Sequence, residues 1–301
     1  MKLNLREITY LAKELPESNQ LSLFSNIKTV LDGSEKASLE EKGVLKAGKV
    51  TEEWREALEI ISNPKVCSRI VLKDKGMLVE KYSYKKNGKI ILVENEQGEM
   101  IVSSPVNFKE TIMELSEFTG MSNVRASDVE ALLPIDEGLV LLGVADIYRY
   151  NFMRGFLGDE TKDIITLADI QKQMESPAKN SLLKMLVNNY NLVVPDKVTV
   201  EKILKDMTDK KIVEKKDGYK LQSEFESFAT SILIPQTIVI LEAFQIDEKG
   251  EVITAGALCV SAGVQDAISF VFAGDEMEVS SITGGFLLKI VENYLNCPEL
   301  I

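Results

Sequence analysis

Glu99-Met100-Ile101-Val102-Ser103-Ser104 returns as Glu276-Met277-Glu278-Val279-Ser280-Ser281, displaced by 177 residues, and each copy leads into a run of helical character. Upstream, at a displacement of 171, Val50, Trp54, Ala57, Leu58, Ile61 and Pro64 answer to Leu221, Phe225, Phe228, Ala229, Ile232 and Pro235. The two matches are collinear. Six extra residues between helix and hexapeptide in the second copy reconcile them, and such insertions fall in loops. The chain therefore reads as two diverged copies of one unit.

Working outward from the first copy, Leu5, Ile8, Leu11, Ala12 and Leu15 have helical spacing that stops at Pro16. Ile27 to Leu31 and Leu39 to Leu45 predict further short helices, and Lys46-Ala47-Gly48-Lys49 a tight turn. Thr51-Glu52-Glu53-Trp54 starts a helix that runs to Asn63-Pro64, because threonine caps and acidic residues suit a first turn. From Val66 the period changes to two, through Arg69 to Leu72, Met77 to Tyr84, Lys89 to Val93 and Met100 to Ser103. Asn87-Gly88 turns the middle hairpin, since both residues tolerate positive φ. The result is an antiparallel meander closed by a helix from Asn107 to Phe118, with Gly120 beyond it.

Residues 121 to 200 read as helical without a competing strand signal, on Val129, Leu132, Leu133, then Leu139 to Ile147, then Leu182, Leu183 and Leu186. The second copy follows. It has a helix over Val200 to Met207, a turn at Lys215 to Gly218, a helix over Ser223 to Leu233, and strands at Thr237 to Ile246, Val252 to Val260, Ala267 to Ala273 and Glu276 to Val279. A last helix spans Phe286 to Leu295. The expected fold is α+β: two pseudo-symmetric repeats, each a winged-helix-like helix pair followed by an antiparallel meander and a helix, with a helical middle. The expected segments are 1–120, 121–200 and 201–301.

Composition narrows function, because none of the 301 residues is histidine. The commonest general base and metal ligand is missing, and with it the usual serine and cysteine triads and the Cys/His zinc sites. Cys67, Cys259 and Cys297 are far apart and odd in number, which suits buried thiols in a reducing compartment. Neither the Walker phosphate loop nor Gly-x-Gly-x-x-Gly occurs. Gly284-Gly285 reads as a flexible pair whose neighbours Ser280, Ser281 and Thr283 can cap the last helix or hold an anion, and Asp247 to Glu251 reads as a turn. No catalytic residue, cofactor or metal is expected.

The formal net charge of −12 disfavours nucleic acid and anionic membranes as partners. A winged-helix regulator is the rival reading, but residues 201–220 carry seven lysines against five acids, and residues 35–56 five basic residues against six acids. A groove-reading helix needs more than that. The N-terminus lacks the long apolar core of a signal peptide, and the best apolar run, Ser231 to Phe244, is broken by Pro235, Gln236 and Glu242. A cytoplasmic protein is expected. Tyr82 and Tyr84 share a strand face next to the Asn87-Gly88 turn, where they either brace the sheet or offer contact area to a partner.

Arg6-Glu7-Ile8-Thr9-Tyr10-Leu11, Leu21-Ser22-Leu23-Phe24, Leu39-Glu40-Glu41-Lys42-Gly43-Val44-Leu45 and Lys49-Val50-Thr51 together resemble the EspG-type and EsaE-type accessory proteins of type VII (ESX) secretion. The resemblance covers residues 5–104 best and reaches 200–296 through the internal repeat. It implies a pseudo-two-fold pair of units and a cytosolic chaperone for secreted helical pairs, with a partner interface at the hairpin of Tyr82, Tyr84, Asn87 and Gly88. A generic adaptor without a secretion role is the alternative. The second copy has Val260-Ser261-Ala262-Gly263 in place of that hairpin pattern, so the two copies are expected to bind differently.

Overall fold

The computed structural model describes residues 1–15, 18–120, 122–125, 127–162, 164–261 and 267–300. Pro16, Ala262 and Gly263, to which sequence expectations were attached, lie outside them. The chain mixes helices with antiparallel sheet and divides into two units. Unit 1 comprises Met1–Glu117, Val239–Ala255 and Leu288–Ile301, and unit 2 comprises Phe118–Ile238 and Gly256–Leu287.

In unit 1, β1 (Lys2–Leu3) and helix α1 (Leu5–Glu14) open the chain. Helix α1 starts on a capping box, in which Asn4 accepts from the amides of Arg6 and Glu7 while the Glu7 carboxylate accepts from the Asn4 amide. Glu7 is fully buried and also receives Ser38 Oγ at 2.6 Å and Lys42 Nζ at 2.7 Å, which ties α1 to residues 38–42. One turn, α2 (Leu23–Asn26), is capped by Ser22, and α3 covers Glu35–Glu41. The helix expected over Ile27 to Leu31 does not form. Ile27 leaves α2 in an extended conformation, and the Thr29 amide donates to Thr9 Oγ1 instead of to a helical carbonyl.

Leu45 likewise leaves its expected helix for the hairpin β2 (Leu45–Lys46) and β3 (Lys49–Val50), whose turn puts Ala47 and Gly48 at positive φ. Helix α4 (Glu52–Ser62) follows and buries Ala57, Leu58 and Ile61. Thr51 occupies its cap position, but its hydroxyl donates to the Gly43 and Val44 carbonyls rather than accepting from the helix.

Strands β4 (Val66–Asp74), β5 (Met77–Lys86), β6 (Lys89–Glu96) and β7 (Glu99–Ser103) form the meander. Its register is fixed at Cys67 opposite Tyr84, Tyr84 opposite Ile91, and Val93 opposite Val102. Asn87 and Gly88 adopt φ of 51° and 76°, the two left-handed residues that a two-residue turn between twisted strands requires. β1 extends the sheet beyond β7, and β11 (Thr237–Ile246) lies beside β4.

Side chains alternate across the sheet. Cys67, Tyr84, Ile91, Val93, Met100 and Val102 face a core built with Ile8, Leu11, Leu39, Leu58 and Ile61. On the other face, buried Lys81 is held by Glu94 at 2.6 Å and by Glu114 of helix α5 (Phe108–Thr119) at 3.1 Å.

Unit 2 carries the stretch expected to be purely helical, and there the structure corrects the sequence. Val129, Leu132 and Leu133 do not seed a helix: Glu130–Pro134 is strand β8. It runs antiparallel to β14 (Glu276–Ile282), with Ala131 opposite Val279 and Leu133 opposite Met277. The three-residue apolar run Ala131-Leu132-Leu133, bounded by Pro134, has no period of its own, so its sheet partner decides its state.

Helix α6 (Ile135–Phe156) is buried on all sides from Glu137 to Asp146. Around it lie α7 (Leu167–Glu175), α8 (Leu182–Tyr190) and α9 (Lys197–Asp209). The hairpin β9 (Val213–Lys215) and β10 (Tyr219–Leu221) then leads into α10 (Ser223–Ser231). Beyond β11, strands β12 (Val252–Ser261) and β13 (Ala267–Ala273) continue to β14, and helix α11 (Gly284–Leu295) ends the series.

Gly284 is a packing requirement rather than a flexible joint. A Cβ there would lie 2.8 Å from the Thr119 carbonyl oxygen and 2.9 Å from that of Gly120. Thr283 accepts from the Phe286 amide at 3.0 Å, while Ser280 is occupied with Ser269 at 2.9 Å, so capping of α11 falls to Thr283.

The two stretches matched in sequence have the same element order. α3, β2, β3, α4, four meander strands and α5 correspond in sequence to α9, β9, β10, α10, four strands and α11. Some matched positions are buried in both copies, as at Met100 and Met277, Val102 and Val279, Leu58 and Ala229, whereas Ser104 is exposed and Ser281 buried.

Candidate functional site

The four residues singled out from the sequence do not form one patch. Tyr84 is 2% exposed and packs in the core of unit 1, while Tyr82 is half-buried against that core. Their rings stack with centroids 6.4 Å apart. Asn87 and Gly88 are exposed at the end of the strands.

What Tyr82 and Tyr84 do share is a cavity of about 440 Å³. Leu5, Leu21, Leu23, Ile27, Met100 and Phe244 give it apolar walls, and Arg69 and Glu242 supply a charged edge. Arg69 bridges two carboxylates, with its Nε 2.8 Å from Glu80 and its Nη1 3.0 Å from Glu242. Glu80 also receives the Tyr82 hydroxyl at 2.7 Å and the Asn95 amide at 3.0 Å. Burial pushes the Glu80 carboxyl up, but the Tyr82, Asn95 and Arg69 donors outweigh it and hold the group below the usual glutamate value. Burial, together with the same bond, raises the Tyr82 hydroxyl, so Tyr82 is a neutral donor here.

This packing separates the two tyrosines by experiment. Tyr84→Ala empties a core position and is expected to cost about 3–5 kcal/mol of stability. Tyr82→Phe loses one hydrogen bond to a charged acceptor, worth about 1.5–3 kcal/mol, and keeps the ring. Urea unfolding distinguishes them: a Tyr84→Ala midpoint equal to that of the parent would remove Tyr84 from the core.

Unit 2 holds a surface that sequence reasoning missed. Helix α6 emerges after Arg149, and its last turns expose Phe152 by 48% and Phe156 by 82%, with Leu157 at 74% and Ile164 at 43% beyond the helix end. Phe152 and Phe156 are four apart and share a helix face. Both line a cavity of about 470 Å³ with Tyr148, Ile165, Tyr219 and Leu221. Its polar contacts include Tyr148 to Glu226 at 2.9 Å, Lys220 to Glu226 at 3.7 Å and the Asn151 amide to the Lys162 carbonyl at 3.3 Å. Exposed apolar residues clustered beside a cavity are the usual mark of a contact surface. In sequence the pair reads as a continuation of a buried helix, and only the Gly158-Asp159-Glu160 end of that helix signals that the core has been passed.

Reactive chemistry is sparse. All three cysteines are free and buried, and burial pushes the Cys259 thiol up to about 12 and the Cys297 thiol up to about 11. Such thiols are unreactive near neutral pH. Among the described residues no cluster of three or more cysteine, aspartate or glutamate side chains could hold a metal ion, and no helix is long and apolar enough to cross a membrane.

No protein-family model matches the chain, and no curated protein matches it significantly. Among solved structures, the chain is similar in fold to the type VII secretion system chaperone EspG5 of Mycobacterium tuberculosis, determined in complex with a PE25–PPE41 dimer. The match covers 99% of this chain and 96% of that one, at a TM-score of 0.54 and 8% sequence identity. The resemblance read from the N-terminal segments thus meets a fold likeness over nearly the whole chain.

Proposed function

We propose that this chain is a non-catalytic protein-binding chaperone or adaptor of the cytoplasm, acting on helical secreted proteins as type VII secretion chaperones do. The observation that carries the reading is the exposed Phe152–Phe156 face of α6 beside its cavity, since four large apolar residues left in water within a short stretch gain most by being covered. The likeness to EspG5, a chaperone seen with a protein dimer, gives the reading its direction. The acidic balance and lack of histidine are in keeping with it. No cofactor, metal, nucleic acid or membrane enters it, and the exposed Asn87-Gly88 turn with Tyr82 and Tyr84 behind it is retained as a second contact region.

The chain is further read as a duplicated unit of two pseudo-symmetric repeats, with segments 1–120, 121–200 and 201–301, supported by the shared order of nine elements in each half. An experimental structure in which residues 50–104 and 221–281 superpose strand for strand is the expected outcome. A mismatch in strand order there removes the duplication.

Purification of the tagged chain from its own host tests the function. A defined complex with a helical protein pair, stable through gel filtration at physiological salt, is expected. Recovery of the chain alone, under conditions in which its host secretes such proteins, would refute the chaperone reading.

A further inference from the structure

We propose that the cavity bordered by Arg69 and Glu242 in unit 1 takes a protein segment that presents an aliphatic side chain beside a lysine or arginine. This deepens the protein-binding reading and rests on it. The cavity is lined by Leu21, Leu23, Ile27, Met100 and Phe244 and encloses about 440 Å³, within the range of sites that bury a bound group. Its apolar walls ask for an aliphatic occupant.

The charged edge sets the sign of the rest. Glu80 is occupied on four sides, by Arg69 Nε and Nη2, Tyr82 and Asn95. Glu242 is 13% exposed at its side chain and accepts one hydrogen bond among the described residues, from Arg69. An ionised carboxylate offers about four acceptor sites, so Glu242, which lines the cavity, keeps acceptor capacity. Two carboxylates against one guanidinium leave the edge negative. Arg69 is committed to both of them and offers an acidic group no free fork. A basic donor is therefore attracted and an acidic one repelled, in the same sense as the net charge of −12.

The test uses two fluorescein-labelled, amidated hexapeptides, one alternating leucine with lysine and the other leucine with glutamate. Polarisation titrations are run at about 0.15 M salt, where long-range attraction is screened. The lysine peptide is expected to bind at least tenfold more tightly than the glutamate peptide. Glu242→Gln is expected to weaken it about tenfold, the size of one charge-assisted hydrogen bond. Gln20→Trp, at an exposed position of the rim, should block it without touching the core.

Equal binding of the two peptides, or lysine-peptide binding indifferent to both variants, overturns the proposal. Should Glu242→Gln fail to fold, Gln20→Trp decides alone. The lysine peptide should bind undiminished to a Phe152→Gln/Phe156→Gln chain, and loss there would place it in unit 2 and overturn the assignment. Peptide binding is read without the native partner, so failure of this site and failure of the chaperone reading are separate results.

Discussion

Phe152→Gln combined with Phe156→Gln is expected to lower capture of the native partner by two to three orders of magnitude while leaving the fold unchanged. Aromatic anchors at the centre of an interface are worth about 2 kcal/mol or more each, and 1.4 kcal/mol is a factor of ten in affinity. Phe156 is 82% exposed and Phe152 48% exposed, so truncation removes little core packing. Exposed substitutions of this kind shift stability by about 0.5 kcal/mol or less. Glutamine is preferred to aspartate because α6 ends at Phe156, where a carboxylate would face the negative end of the helix dipole. Pull-down from host extract gives the first readout and the urea midpoint the second. Full capture by the doubly substituted chain would remove this face from the interface. Lost capture with an unchanged midpoint assigns the loss to contact.

What could be read from sequence was whatever carried its own period. The α4 stripe of Ala57, Leu58 and Ile61, the alternation through β5 and the Asn87-Gly88 turn are local signals, and the structure keeps each of them. Strand β8 was not legible, because Leu132 and Leu133 become strand only through pairing with Glu278 and Met277, nearly 150 residues away. The stretch after α2 failed for a related reason: Thr9 offers the Thr29 amide a partner that no helix-spacing argument sees. The site was half legible. The ring pair Tyr82 and Tyr84 was found, but its cavity needs Leu5, Ile27 and Phe244 from three other parts of the chain. Phe152 and Phe156 went unread because helical spacing cannot say where a long helix leaves its core.

A loss of stability of about 3–5 kcal/mol is also expected from Asp146→Ala. Asp146 is fully buried on α6 and accepts from the Leu182 amide at 3.1 Å and the Leu183 amide at 3.0 Å, which satisfies orphan donors in the first turn of α8. It also receives Arg149 Nη1 at 2.5 Å, and Arg149 Nη2 reaches the Leu233 carbonyl at 3.2 Å. Alanine would strand a guanidinium only 4% exposed and two amides together, and an unpaired buried charge is the costliest of these. Asparagine keeps an acceptor for the amides while losing the charge, so Asp146→Asn should fall between parent and alanine. Urea unfolding ranks the three chains, and hydrogen exchange at Leu182 and Leu183 localises the damage to the start of α8. An alanine chain within about 1 kcal/mol of the parent, with those amides still protected, would mean that the pair does not anchor α8. Because α6 carries both Asp146 and the Phe152–Phe156 face, Asp146→Ala should also lose partner capture, but with a fallen unfolding midpoint. That combination separates loss of the scaffold from loss of the contact.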